Sequence, residues 1–305
     1  MLNQTSTNFT NSSATGPPTS FLWASKDLAP AVLLSLCFLV GFPGNIAVLI
    51  LRPNWQQLSR LTQCLMMNLA LSDLLCLVTL PVWIYALLYI WPLGDVACKI
   101  IAFIVYCSLY SCLMSITALS VQRYMQVAHQ QRCLQFRKRL LALLWLMSMV
   151  LSIPALVFRK TIKNQERISC LQKYTSSAQE VAVLLTECVV GFTSLIITTC
   201  SYIFLNRRLQ QAVFFNDTYT IKLVTTIILT FFILWTPYLT FNIVIVGGIL
   251  TNNLTIAKFY DLAFVFGSVT FINSGINPLL YAFALTKLGA AVQTDPVSDD
   301  EPGHV

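Results

Sequence analysis

Seven long apolar segments follow one another along the chain, and they constrain its fold more than any other feature. The segments cover residues 28–51, 62–89, 97–125, 139–158, 180–205, 221–248 and 260–283. A helix needs about 20 apolar residues to cross a bilayer, and every segment reaches that length. The segments are too long for membrane strands and lack their strict alternation, so only helices satisfy the backbone in lipid. The sequence therefore predicts an all-α membrane protein, a seven-transmembrane helix bundle.

The low charge of the chain supports this class. Charged residues make up 10% of the sequence, whereas a soluble domain has about 25%. Because the apolar segments extend over nearly the whole chain, we expect one bundle rather than two domains. We assign residues 1–27 to a glycosylated extracellular tail, 28–285 to the membrane domain and 286–305 to a short cytoplasmic tail. A short amphipathic helix is expected at the C-terminal end of the bundle.

Glycosylation motifs and loop charges predict the orientation. Four asparagines begin Asn-X-Ser/Thr motifs in the N-terminal tail and after the sixth segment: Asn3, Asn8, Asn11 and Asn253. With seven spans, an outside N-terminus places all four on the same side. The loops then assigned to the cytoplasm carry most of the basic residues, as the positive-inside rule expects. We therefore predict a multi-pass plasma-membrane protein with its N-terminus outside.

The outer loop 159–180 departs from the charge rule, because it is rich in arginine and lysine. It is either an ordinary solvated loop or a cationic vestibule that attracts an anionic ligand. The loop also holds Cys170, while Cys98 begins the third segment on the same side. Most other cysteines lie within the apolar segments. Because both outer cysteines face the oxidising side, we predict that they form a disulfide that ties the loop over the mouth of the bundle.

Several polar residues lie within the apolar segments, where a charge costs roughly 2.5–3.5 kcal/mol to insert. Asp73 lies in the second segment, and amide and hydroxyl groups occur at similar depth in the first and seventh. This group is Asn45, Asn273, Ser274 and Asn277. It is either a hydrogen-bond cluster that joins helices or a hydrated cation site. Glu187 in the fifth segment and Arg159 at the end of the fourth are either halves of ion pairs or ligand contacts.

Short motifs recur at the depth and order typical of one family. They are Gly44-Asn45, Leu69-Ala70-Leu71-Ser72-Asp73, Trp91-Pro92-Leu93-Gly94, Gln122-Arg123-Tyr124, Trp145, Phe231-Phe232-Ile233-Leu234-Trp235-Thr236-Pro237-Tyr238 and Asn277-Pro278-Leu279-Leu280-Tyr281. Each motif alone is weak, but together and in this order they are specific. Over residues 25–290 the chain resembles a rhodopsin-like (class A) G-protein-coupled receptor.

The resemblance implies roles for these residues. Arg123, within Gln122-Arg123-Tyr124, would be held in the resting state and freed when the sixth span swings out to admit a G protein. Tyr202 and Tyr281 would then move in to support it, and Trp235 would transmit ligand contact to the helix at Pro237. In the inactive form, the resemblance places an allosteric sodium ion at Asp73, Asn273, Ser274 and Asn277. Apart from sodium, no cofactor is expected.

Thr79-Leu80-Pro81 in the second segment resembles the chemoattractant and lipid-mediator branch of the family. The run Ile227-Ile228-Leu229-Thr230-Phe231, followed by Trp235-Thr236-Pro237-Tyr238, is most similar to the leukotriene B4 receptors. The implied ligand is an anionic hydroxylated eicosanoid such as leukotriene B4, acting in chemotaxis or inflammation through a G protein of the inhibitory class. Arg159 would bind the carboxylate. The implied polar contacts are Tyr110, Glu187, Tyr238 and Asn242; packing between helices is the other interpretation of the two tyrosines.

Three positions depart from the family pattern. Gln122 replaces the acidic residue that usually precedes the arginine, and a neutral hydrogen bond is roughly half as strong as a charged one. This predicts raised basal signalling. Ser194 or Leu195 stands where the fifth span usually has proline. Cys112 replaces the serine of the sodium site, and sulfur binds hard cations poorly.

Other function classes fit less well. A secondary transporter usually shows internal repeats, and we find none. An intramembrane enzyme needs a catalytic constellation, yet the two histidines, His129 and His304, fall outside the segments. We therefore expect no catalytic residues and no nucleic-acid partner; the expected partners are an agonist, a heterotrimeric G protein and membrane lipid. A peptide chemoattractant is the alternative ligand.

Overall fold

A computed structural model describes the chain at residues 20–51, 59–129, 137–164, 167–211, 218–252 and 257–279. Within these residues, seven helical spans are long and apolar enough to cross a membrane. They are Leu28–Leu51, Arg60–Leu88, Gly94–Gln126, Arg137–Phe158, Ser177–Arg208, Leu229–Leu250 and Leu262–Leu279. The predicted helical bundle is confirmed, and the protein is a multi-pass membrane protein.

The helices extend slightly beyond the spans. They are α1 (Ser20–Leu51), α2 (Arg60–Leu77), α3 (Leu80–Leu88), α4 (Gly94–His129), α5 (Arg137–Phe158), α6 (Ser177–Gln211), α7 (Thr218–Leu250) and α8 (Ala257–Thr270). Residues 272–279 continue the seventh span as helix. Several predicted features lie outside the described residues: the glycosylation sites Asn3, Asn8, Asn11 and Asn253, the switch residue Tyr281 and the C-terminal amphipathic helix.

The second span consists of two helices with a break between them, rather than one helix kinked at Pro81. The helix α2 ends at Leu77, and α3 begins at Leu80 with Pro81 in its first turn. Proline suits this position because its missing N–H would have no partner in a first turn. By contrast, α5 and α7 run through Pro154 and Pro237.

The loop 159–180 contains an antiparallel hairpin, which the sequence analysis did not predict. Strand β1 (Arg159–Asn164) pairs with β2 (Arg167–Gln172), and Thr161 lies opposite Cys170. The predicted Cys98–Cys170 disulfide is present, with the Cα atoms 5.7 Å apart. Asp95 Oδ1 accepts a 2.9 Å hydrogen bond from the Thr161 amide, which further fixes the hairpin. We call this side of the bundle the disulfide end and the opposite side the arginine end, after Arg123.

The core lies between the central spans. Its largest fully buried side chains include Leu65, Leu113, Ile116, Phe231 and Leu239. The outward side chains of the bundle are apolar and exposed, as at Val189, Ile196 and Ile233. This arrangement suits a bundle surrounded by lipid, because apolar faces need no cover there.

Buried polar groups connect the second, third and fourth spans. Trp145 Nε1 donates a 2.8 Å hydrogen bond to Asn68 Oδ1, and Asn68 Nδ2 donates at 2.7 Å to Ser115. Ser72 and Ser111 are joined at 2.7 Å. Because buried polar groups are costly without partners, this network fixes the register of three helices.

Candidate functional site

A buried carboxylate joins the fifth and sixth spans in the half nearer the disulfide end. Glu187 Oε2 accepts a 2.6 Å hydrogen bond from the Tyr238 hydroxyl and a 3.2 Å hydrogen bond from Asn242 Nδ2. Glu187 is 8% exposed and Asn242 is 2% exposed. A charge in such a place needs partners, and two donors on one oxygen supply them. The other carboxylate oxygen remains available to a ligand donor.

A narrow recess with a cavity volume of about 10 Å³, roughly the room for one water molecule, opens beside this carboxylate, between the third, fourth and fifth spans. Its wall includes Glu187, Tyr110, Tyr106, Pro154 and the hairpin residue Gln172. Its surface therefore combines aromatic rings with a few polar groups. The walls of ligand sites are mostly apolar with a small number of placed polar groups, and the wall of this recess has that composition.

Arg159 lies above the recess, where α5 meets the hairpin. Its Nη1 donates a 3.1 Å hydrogen bond to the Cys170 carbonyl, and its guanidinium carbon lies 5.6 Å from the centre of the Trp83 ring. These contacts hold the side chain in one orientation, and the stacking on Trp83 is a cation–π interaction. The structure thus brings Tyr110, Glu187, Tyr238 and Asn242 together around one region and sets Arg159 at its edge.

Three residues of this region were absent from the predicted site. Tyr106 lies one turn before Tyr110 on the same helix, with ring centres 6.5 Å apart, and its hydroxyl accepts a 3.1 Å hydrogen bond from Gln172 Nε2. Tyr174, in the loop after the hairpin, also lies close, and its burial raises the pKa of its hydroxyl above the ordinary value. The four-residue spacing of Tyr106 and Tyr110 was a usable signal in the sequence. Gln172 and Tyr174 offered none, because their placement depends on the fold of the hairpin.

Aromatic side chains lead from this region toward the middle of the bundle. Tyr238 meets Trp235 edge to face with ring centres 6.3 Å apart, and Trp235 lies 5.4 Å from Phe231. All three belong to α7, and Pro237 interrupts the backbone bonding of that helix between them. A displacement of Tyr238 can therefore be transmitted through Trp235 to the fully buried Phe231.

Asp73 lies at the centre of the bundle and is fully buried. Its Oδ2 accepts a 2.8 Å hydrogen bond from Asn277 Nδ2, and its Oδ1 accepts a 3.1 Å hydrogen bond from the Cys112 thiol. Asn45 Nδ2 donates at 2.9 Å to the Ser274 carbonyl, which joins the first and seventh spans. Asn277 and Ser274 of the seventh span thus contact Asp73, Asn45 of the first span bonds to Ser274, and Asn273 is buried on the seventh span. Among the described residues, three buried amide oxygens have no hydrogen-bond partner: those of Asn45, Asn273 and Asn277.

Four of the predicted switch residues lie near the arginine end: Gln122, Arg123, Tyr124 and Tyr202. Arg123 is 7% exposed and Gln122 is 8% exposed, so both are enclosed. Arg123 Nη1 donates a 3.3 Å hydrogen bond to Gln126 Oε1. The ring of Tyr124 packs against Phe204 of the fifth span with centres 5.8 Å apart. Tyr202 lies on the same helix as Phe204 and is partly buried.

Comparison with known proteins agrees with this architecture. The pattern of the 7 transmembrane receptor (rhodopsin family) matches residues 44–281. Leukotriene B4 receptor 1 of Homo sapiens is 32% identical over 297 residues, which cover 90% of this chain and 82% of that receptor. Leukotriene B4 receptor 1 of Rattus norvegicus is 33% identical over 91% of this chain and 81% of its own length.

A receptor with a different name is similar to nearly the same degree. The type-1 angiotensin II receptor of Homo sapiens is 32% identical over 273 residues, covering 82% of this chain and 76% of that receptor. Overall identity therefore supports the receptor class without separating these two groups.

Proposed function

The chain belongs to the rhodopsin family of G-protein-coupled receptors, which are receptors rather than enzymes, and on this premise we propose that it binds an anionic hydroxylated lipid mediator of the leukotriene B4 class. The observation that carries the proposal is the carboxylate of Glu187, held by Tyr238 and Asn242 beside a recess that two tyrosines and several aliphatic side chains line. Such a carboxylate accepts a hydrogen bond from a ligand hydroxyl. The similarity to leukotriene B4 receptor 1 supports the same ligand class.

Arg159 supplies the complementary charge in this proposal. A guanidinium group binds a carboxylate through parallel hydrogen bonds, and the Trp83 contact orients it in advance. The exposed Lys160, Lys163 and Lys173 of the same region add positive potential, which attracts an anion during its approach. The acid group would therefore bind near the hairpin, while a hydroxyl farther along the ligand reaches Glu187.

Signalling follows from the two-state character of such a bundle. An agonist shifts the population only by its differential affinity for the two states. We propose that ligand contact at Tyr238 is relayed through Trp235 and Phe231 to the arginine end. In the signalling state Arg123 then becomes accessible to a heterotrimeric G protein of the inhibitory class. The disulfide end then faces outward, in the plasma membrane, because a disulfide persists in an oxidising environment.

A peptide ligand is the second candidate, and the similarity to the type-1 angiotensin II receptor favours it. The two candidates differ in a simple test. Cells that express the receptor are exposed to a panel of hydroxylated lipid acids and chemoattractant peptides while calcium and cyclic AMP are recorded. A response to lipid acids at nanomolar concentration supports the proposal. A response to peptides alone rejects the lipid and retains the receptor.

We further propose that Asp73, Asn273, Ser274 and Asn277 hold an allosteric sodium ion. The buried carboxylate and the partnerless amide oxygens fit a hard cation, which oxygen ligands prefer. The ion would supply positive charge that stabilises the resting arrangement of the spans. Because the Cys112 thiol replaces an oxygen ligand, binding should be weak. Thermal unfolding in sodium chloride against choline chloride tests this: sodium should stabilise the wild type and not Asp73→Asn. Equal stability of the wild type in both salts rejects the site.

A further inference from the structure

A pair of hydroxyl groups crosses the apolar core between the third and fifth spans. The side chains of Thr117 and Ser194 are hydrogen-bonded to each other, and Thr117 also donates a 2.9 Å hydrogen bond to the Leu113 carbonyl of its own helix. Ser194 is 5% exposed, and its neighbour Leu195 belongs to the same core as Phe231. We call Thr117 and Ser194 the hydroxyl pair. Because the surroundings are apolar, this contact is strongly preferred to an unpaired hydroxyl.

A third hydroxyl lies one helical turn beyond this pair. Thr198 is fully buried, and within the described part of the chain its Oγ1 has no hydrogen-bond partner. Residues four apart share a face of a helix, so Ser194 and Thr198 lie in line, about 6 Å apart along its axis. A buried hydroxyl without a partner is costly and needs an explanation. One explanation is that it has a partner in another state of the bundle.

We assign the described conformation to the resting state, because Arg123, which the proposed G protein would contact, is enclosed at the arginine end of the bundle. In this conformation the hydroxyl pair is intact and Thr198 is unsatisfied. Packed helices move between discrete arrangements by shifts along their axes. A shift of the third span toward the arginine end relative to the fifth moves Thr117 away from Ser194 and toward Thr198.

We propose that Thr117 exchanges its hydrogen-bond partner between Ser194 in the resting state and Thr198 in the signalling state. The proposal rests on the proposed coupling to a G protein, and it adds three positioning residues that contact neither ligand nor G protein. Each hydroxyl of the fifth span stabilises one state. The backbone bond of Thr117 to Leu113 keeps its hydroxyl satisfied when either partner is removed.

The partner exchange predicts opposite effects for two conservative substitutions. Ser194→Ala removes the resting partner and should raise basal nucleotide exchange on a purified G protein by about two- to tenfold, the range that one net hydrogen bond supplies. Thr198→Val keeps the shape of the side chain, removes the signalling partner and should lower basal exchange by a similar factor. Ser194→Thr and Thr198→Ser retain a hydroxyl and should remain near wild type.

Thr117→Val provides the decisive comparison, because it removes the hydroxyl that bonds to Ser194 in the resting state and to Thr198 in the signalling state. Its basal exchange should stay near wild type, and in this background neither Ser194→Ala nor Thr198→Val should have an effect. Thr240→Val is the matched control, since Thr240 is a lipid-facing threonine of the sixth span. Shifts of Ser194→Ala and Thr198→Val in the same direction overturn the proposal, and so do shifts that persist with Thr117→Val.

A second readout separates this proposal from the proposed coupling. Cys200 is exposed on the fifth span, two residues from Thr198, and can carry a trifluoromethyl tag in a Cys64→Ser, Cys133→Ser background. Fluorine NMR of the full receptor should show two populations that Ser194→Ala and Thr198→Val shift in opposite directions. If the populations shift in opposite directions while no G protein responds, the proposed coupling is wrong and the exchange of hydrogen-bond partners is supported. If a G protein responds and the populations do not shift, the exchange of hydrogen-bond partners is wrong.

Discussion

The hydroxyl of Tyr238 lies 2.6 Å from Glu187 Oε2, and this bond is the shorter of two that join the sixth span to Glu187 of the fifth beside the candidate ligand recess. Hydrogen bonds to a charged group contribute about 1.5–3 kcal/mol, more than most contacts between helices. The bond also sets the position of the carboxylate that we propose contacts the ligand. It therefore couples the recess to the aromatic series on α7.

Tyr238→Phe should lower agonist potency about tenfold or more, because it removes the shortest bond to Glu187 without changing the ring. Glu187→Gln should act in the same direction, since it removes the charge and retains the shape. Dose–response curves for G-protein activation measure both effects. Tyr85→Phe, on the exposed surface of the bundle, is the control and should leave potency unchanged. Wild-type potency in both site variants would place the ligand elsewhere.

Arg159→Gln should weaken the binding of a lipid acid by about tenfold or more while leaving its methyl ester unaffected. The guanidinium is the charge partner proposed for the carboxylate, and the ester lacks that charge. Competition binding with the acid and the ester measures the difference. Lys163→Gln removes an equal charge from an exposed site on the same hairpin and should change affinity only slightly. Equal losses for acid and ester would assign Arg159 a role in holding the hairpin alone.

Gln122→Asp should lower basal signalling, because a carboxylate beside Arg123 stabilises the resting state more strongly than a neutral amide. Both residues are enclosed, so the interaction is poorly screened by solvent. Gln122→Asn has the same size as the aspartate variant and no charge, and should keep the basal level of the wild type. Basal nucleotide exchange per receptor molecule measures the effect. If basal nucleotide exchange in Gln122→Asp equals that of the wild type, Gln122 does not raise basal signalling.

Cys170→Ser should reduce both the thermal stability of the receptor and its ligand affinity. The disulfide joins residues 72 positions apart and holds the hairpin to the third span. Loss of a native disulfide costs roughly 2–5 kcal/mol in small domains. Thermal unfolding and radioligand binding in the same membrane preparation test this expectation. Cys200→Ser removes an exposed free thiol and should match the wild type; a Cys170→Ser receptor as stable as this control would contradict the assignment.

The spans could be predicted from the sequence because their signal is local. A run of apolar residues of sufficient length has few alternatives in lipid, and the predicted segments agree with the helices to within a few residues at most ends. The Cys98–Cys170 pairing was also predictable, since Cys98 begins the third segment and Cys170 lies in the loop on the same, oxidising side. The break before Pro81 was not, because a proline in a helix and a proline that begins a helix differ only in their neighbours' conformation.

The hairpin and much of the recess depend on contacts between distant parts of the chain. Strands β1 and β2 pair where Asp95, Trp91 and the disulfide hold them, and none of these contacts follows from local propensity. Gln172 reaches the recess only because of that pairing. The presence of a carboxylate in the fifth span was evident in the sequence, which left its role open, whereas its bond to Tyr238, 51 residues away, requires the packing of the fifth span on the sixth.

Nucleotide exchange on a purified inhibitory-class G protein, with the receptor in lipid nanodiscs, tests the central claim most directly. The ligands are a hydroxylated eicosanoid acid, its methyl ester and a chemoattractant peptide. The account predicts that the acid stimulates exchange at nanomolar concentration, that the ester is at least tenfold weaker and that the peptide is inactive. Stimulation by the peptide with no response to the acid would contradict it.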